Sequence, residues 1–242
     1  MKLLIIRHGD PDYKNDCLTE RGQKEAELLC ERLMKENITK VYCSPLGRAQ
    51  ETAYPFLKAS GLECTTYEWL REVPIRLNLP LVELGIADSD EAFWPWKSDP
   101  RFFMKLEKEL TSKDSWDKNS AYQTSGISEY CKMVFSSFEN LLKEIGLEKD
   151  GILYHLNEKC QDDEYWEKTN IAIFCHMGLG SLLTAYIANI TPPLFWQMFC
   201  CLPTSVSTIL FKKFSPDLAF AKIVSFGDTS HLMSIGIDYN KW

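Results

Sequence analysis

The residues best suited to chemistry stand where apolar runs stop. In "LLIIRHGDPDY", Leu3 to Ile6 would carry a buried strand directly into Arg7, His8 and Gly9. A guanidinium and an imidazole at a strand end must reach water or receive an anion, because an uncompensated buried charge is costly. A second apolar run, "AIFCHMG", also ends in a histidine, His176, at a glycine-containing turn. A third, "KVYCS", leads into "SPLGRAQETA", which sets Arg48 near the start of the following helix. Two guanidiniums can fork onto a phosphoryl group, and an imidazole between them can attack phosphorus in line. Charge on the equatorial oxygens would then be stabilised by the same cations. The departing alkoxide needs a proton, and Glu72 in "YEWLREVP", beside Trp69 and Leu70, is the candidate donor. Apolar crowding would raise its pKa, and after giving up its proton it could activate water.

These side chains converge only if their strands lie side by side in one sheet. Short apolar runs alternate with amphipathic stretches along the chain, the pattern of an α/β protein. We read a three-layer α/β/α sandwich with a mostly parallel central sheet, in which ligands bind outside the carboxyl ends of the strands. Thr19 caps a helix through "ERGQKEAELLCERLMKE", with Ala26, Leu29, Cys30 and Leu33 at helical spacing. The helix from "LGRAQETAYPFLKAS" ends at Gly61, 126–146 is helical, 170–175 is a strand, and 178–190 is a helix. "SVSTILFKKF" and "AFAKIVSFG" read as an antiparallel hairpin turning at Ser215-Pro216. Residues 73–125 break the alternation with four prolines and "FWPWK", so the chain reads as a single domain, 1–242, with a cap insertion over the strand ends.

Composition narrows the partners. With 242 residues, 45% of them apolar, the chain can bury a full core as one large domain. A net charge of -7 and the absence of any Lys/Arg run argue against nucleic acid. No apolar run is long enough to span a membrane, and the N-terminus is too short in apolar residues for a signal segment, so the expected compartment is the cytoplasm. Nine cysteines, an odd number with no CxxC pair, fit buried thiols in a reducing compartment rather than disulfides or structural zinc.

Together, and in this order, "LLIIRHG", "LTERGQKEAELL", "SPLGRAQETA" and "AIFCHMGLGSLL" resemble the histidine phosphatase superfamily, the phosphoglycerate mutase-like proteins. The resemblance covers roughly residues 1–72 and 126–235, and "GDTSHL" near the C-terminus is similar to a segment of the phosphatase branches. It implies a metal-independent phosphomonoesterase acting on a small phosphorylated metabolite through a phosphohistidine on His8. Arg7, Arg48 and His176 would clamp the phosphate, Glu72 would serve as acid and base, and neither metal nor cofactor would be needed. Asn15 and Met177 are read as further substrate contacts. Asp10 and Lys14 depart from the family pattern after the histidine, and "EVPIRLNLP" replaces the Tyr-Gly and Gln-Gly pattern of mutases after the acid. Two alternatives stand beside hydrolysis: a mutase that returns the phosphoryl group to the same substrate, and a catalytically weak phosphate-binding interaction protein. Substrate, oligomeric state and the role of His231 are not legible at this level.

Overall fold

The computed structural model describes residues 1–240. The first half runs β1 (Lys2–Arg7), β2 (Pro11–Asp12), β3 (Cys17–Leu18), α1 (Glu20–Leu33), β4 (Lys40–Cys43), α2 (Gly47–Ser60) and β5 (Cys64–Thr66). Next come β6 (Leu77–Leu79), β7 (Glu91–Phe93), α3 (Pro100–Lys105), α4 (Glu107–Leu110) and α5 (Ser120–Thr124). A long α6 (Ile127–Glu144) leads to β8 (Leu147–Asp150), β9 (Leu153–Leu156), α7 (Glu158–Gln161) and α8 (Asp163–Lys168). The chain closes with β10 (Asn170–Cys175), α9 (Met177–Ala188), α10 (Pro192–Met198), β11 (Val206–Lys213) and β12 (Leu218–Asp228).

Eight strands form the central sheet in the order β5-β4-β10-β1-β11-β12-β9-β8. β5, β4, β10 and β1 are parallel neighbours, and the pairings beyond β1 are antiparallel, so β11 and β9 alone run against the other six. β1 sits near the centre and is covered on both faces, which is why its sequence is an unbroken apolar run instead of an alternating one. Leu3 and Ile5 enter one core with α6 and α9, while Leu4 and Ile6 enter the other with α1 and α2. The three layers follow from that split.

Local signals set the helix ends. Thr19 accepts from the Gly22 amide at 3.1 Å to start α1, and Gly61, at φ 69°, ends α2 in the left-handed conformation. The β8–β9 hairpin and α7–α8 had no clear sequence signal. Each strand of that hairpin is four residues long, and β8 buries only Leu147. Residues 73–125 hold the separate β6–β7 ladder and short helices, and Leu77, Leu79, Leu81, Phe102, Leu110 and Tyr122 join the same core as β10 and α9. Phe93 and Trp96 pack against that shared core as well, so the segment does not build a small core of its own. No helix among the described residues is long and apolar enough to cross a membrane.

Candidate active site

β1, β4 and β10 end on the same side of the sheet. β1 and β10 pair in register as far as Arg7 and Cys175, and Phe174 of β10 pairs with Cys43 of β4. The residues that follow are therefore brought together: His8 after β1, Ser44 after β4 and His176 after β10. The His8 and His176 rings lie 5.1 Å apart between centroids. Both are 1% exposed, with Arg7 at 6% and Arg48 at 8%.

Backbone contacts brace the first strand end. The His8 amide donates to the Cys175 carbonyl at 3.0 Å, and its own carbonyl accepts from Thr204 at 3.1 Å. The Gly9 amide donates to Thr52 Oγ1 at 2.9 Å, whose hydroxyl donates to the Arg48 carbonyl at 2.7 Å, joining β1 to α2. Arg7 donates through Nη1 to the Cys201 carbonyl.

The two imidazoles are held in defined states. His8 Nδ1 lies 2.7 Å from the Gly9 carbonyl oxygen. A carbonyl can only accept, so Nδ1 carries the proton and the lone pair belongs to Nε2. Burial, and then the Arg7 charge, hold the His8 pKa well below the usual histidine value. His176 Nε2 meets Ser44 Oγ at 2.7 Å, and burial followed by the charges of His8, Arg48 and Arg7 depresses its pKa too. Its Nδ1 and the Nε of Arg48 are buried without a hydrogen-bond partner in the protein. Two orphaned nitrogens in a cationic recess are the imprint expected of an anion site.

Glu72 reaches the same region from a different direction. Its Oε2 accepts from Gly178 at 3.1 Å, and its Oε1 from Leu179 at 3.0 Å and Val73 at 2.9 Å. The carboxylate thus caps α9, whose N-cap residue His176 offers no side-chain cap. Burial raises its pKa, the three amides and Arg7 pull it back, and the net direction is upward. Trp69 stacks on Tyr67 and lies tilted against Phe138. Gly178 has no room for a side chain. Its carbonyl accepts from Trp196 Nε1 at 3.0 Å, and a Cβ there would lie 2.0 Å from the Trp96 ring.

Asn15 does not join the cradle. It is exposed, and its Nδ2 donates to Asp12 Oδ2 at 2.7 Å, closing a local turn. Its neighbour Asp16 instead pairs with Arg48 Nη1. Met177 is buried at the start of α9 and lines a cavity of about 360 Å³ together with Trp96, Lys97, Phe199 and Cys200. Tyr13, which the sequence did not single out, lies over the Arg48 guanidinium at 5.4 Å and edge-on to His8 at 6.4 Å. Asp10 is turned away toward α1, where its amide donates to Glu25 and its carboxylate accepts from Thr19. Arg76 covers the Trp94 ring at 4.7 Å, and the Arg101 fork closes on Asp99. His231 joins Thr204 to the Arg32–Asp228 ion pair, and burial with the Arg32 charge brings its pKa down to about 4. Among the described residues, no group of three or more His, Cys, Asp or Glu is arranged to hold a metal ion.

Residues 3–100 match the sequence profile of the histidine phosphatase superfamily, branch 1. Over these residues the chain is similar to that superfamily. Phosphoserine phosphatase 1 of Hydrogenobacter thermophilus is 29% identical over 110 residues, 41% of this chain and 52% of that protein. A probable phosphoglycerate mutase of Serratia proteamaculans is 30% identical over 98 residues, 37% of this chain and 44% of its own length. The matches thus span about half the length of these curated relatives. The crystal structure of a phosphoserine phosphatase from Entamoeba histolytica with phosphoserine covers 96% of this chain and 99% of its own, at a TM-score of 0.59 and 19% identity. At that identity the likeness speaks for the fold alone.

Proposed function

We propose that this chain is a metal-independent phosphomonoesterase that hydrolyses a small phosphorylated metabolite through a phosphohistidine on His8. The observation that carries this reading is the state of His8: neutral, with Nδ1–H tied to a carbonyl and Nε2 as the nucleophilic nitrogen, beside two buried guanidiniums. Arg7 and Arg48 would bind the equatorial oxygens, with His176 Nδ1 as a third donor held by Ser44. As His8 Nε2 bonds to phosphorus, the ester P–O bond breaks and the leaving oxygen takes a proton from Glu72. Glu72, now a carboxylate, accepts a proton from water as that water attacks phosphorus, which releases phosphate and restores His8. Residues 73–125 act as a cap that selects the leaving group, since Trp96 and Lys97 of this segment share a cavity with Met177, the residue after His176.

The test is a screen of phosphorylated metabolites and 4-nitrophenyl phosphate with phosphate release as readout, in the presence of a chelator. Hydrolysis insensitive to the chelator is the expected result. Activity abolished by the chelator would overturn the metal-independent mechanism, and transfer of phosphoryl groups between hydroxyls with slow release would favour the mutase.

A further inference from the structure

A carboxylate sits where a phosphate-binding arginine begins. We propose that Asp16 is the positioning residue of Arg48, holding one edge of the guanidinium so that the rest of it faces the phosphoryl group; this inference rests on the cradle reading above. Asp16 lies in the loop between β2 and β3, with φ at 50°, a left-handed conformation that Asp and Asn tolerate better than other residues with a Cβ. Its Oδ1 pairs with Arg48 Nη1, and its Oδ2 accepts from the Gly47 amide at 2.7 Å. The two backbones meet so closely that a Cβ on Gly47 would lie 2.1 Å from the Asp16 carbonyl oxygen.

The arrangement has two consequences for Arg48. A long side chain with several rotors loses much of its freedom when one end is fixed by a charge-assisted bond, and the Arg48 arm is only 10% exposed. Its Nε, buried and without a protein partner, belongs to the part of the guanidinium left for a ligand. Tyr13 covers the guanidinium face, so both an edge and a face are constrained before any substrate arrives. The competing role is structural. Leu46, the N-cap of α2, provides no side-chain bond, and Asp16 could serve merely as that helix's anion.

A double-mutant cycle separates the two roles, because a cap on α2 would matter equally with or without the Arg48 side chain. Wild type, Asp16→Ala, Arg48→Ala and the double variant are compared for kcat/KM on 4-nitrophenyl phosphate and for orthovanadate binding by calorimetry. Asp16→Ala is expected to lower both by about tenfold or more in the wild-type background, and by less than about twofold when Arg48 is already alanine. Equal losses in the two backgrounds, or no loss in the first, would overturn the proposal. Asp16→Asn keeps the backbone conformation and an acceptor oxygen, so it should recover part of the loss, and it carries the same cycle if Asp16→Ala does not fold. A wild type that binds vanadate but hydrolyses nothing would remove the phosphatase reading while leaving the vanadate cycle to decide on Asp16. A wild type that binds no vanadate would overturn both.

Discussion

The cradle and the segment over residues 73–125 are built by opposite means. In the cradle, Arg7, His8, Arg48 and His176 end or follow a strand or open a long helix, Glu72 comes from the loop beyond β5, and the contacts that join them cross long stretches of sequence: Ser44 and His176 are 132 positions apart, Glu72 and Gly178 are 106. In the segment, the helices are four to six residues long and many polar contacts are local, as in the Arg101 fork on the nearby Asp99, although Ser98 reaches Gln197 and the Leu110 carbonyl accepts from Thr191. Sheet register places charge within fractions of an ångström and tolerates little change. Short elements on a shared core can be remodelled without disturbing it. Chemistry belongs on the first kind of scaffold and choice of substrate on the second.

The comparison predicts that effects grow toward the strand ends. If His8 is the nucleophile, His8→Ala should remove turnover by roughly 10⁴-fold or more, because the other imidazole of the recess, His176, is tied through Nε2 to Ser44, while circular dichroism should report an intact fold. Arg7→Ala or Arg48→Ala should cost about 100- to 1,000-fold in kcat, on the order of 3 to 4 kcal/mol of transition-state stabilisation. Lysine at either position should rescue little, since a point charge cannot reproduce the fork. Full rescue would mean that charge alone, and not strand-end geometry, does the work.

Glu72→Gln should lower the hydrolysis of alkyl phosphates by about 100-fold, the scale of general acid catalysis. The first step with 4-nitrophenyl phosphate should be nearly unaffected, because that leaving group needs no proton, and phosphoenzyme should accumulate as a burst. Equal single-turnover losses for both substrates would assign the acid elsewhere.

Titration offers a smaller effect with a definite sign. Unfolded, His8 and His176 titrate near the usual ~6.5, whereas in the cradle burial and the arginines keep them neutral to lower pH. Below about pH 6.5 the unfolded chain therefore binds protons that the native state does not, and stability falls as the pH drops. Their contribution is fully present above that value. Denaturant titrations of His8→Asn should show a slope shallower than wild type by up to about 1.4 kcal/mol per pH unit below 6.5. A slope as steep as that of wild type would show that His8 is not held neutral.

The smallest effect belongs to the segment. Trp94→Ala removes the stack on Trp96 and the Arg76 contact, and should lower unfolding free energy by about 1 kcal/mol while changing kcat on 4-nitrophenyl phosphate by less than about threefold. A loss as large as that of an arginine variant would erase the division between scaffold and selector.

What the sequence conveyed follows the same line. Arg7, His8, Arg48 and His176 were legible because each follows a strand-like apolar run, directly or through the first turn of the helix after it, and register converts that position into proximity. Asn15, Asp16 and Tyr13 were not, since the loop between β1 and α1 has no hydrophobic period and the left-handed turn at Asp16 decides which side chain reaches Arg48. Glu72 was found as a carboxyl, but its role as the cap of α9 depends on a contact that no local pattern announces. The β8–β9 edge hairpin escaped for a related reason: short strands with few buried positions leave almost no trace in polarity.

The most direct measurement is the chemistry of the bound phosphoryl group. Wild type quenched during turnover of a labelled phosphomonoester should carry label that is stable in alkali and lost in acid, as expected for phosphohistidine, and peptide mapping should place it on His8. Label on a serine or an acidic residue, or undiminished label in His8→Ala, would contradict the account.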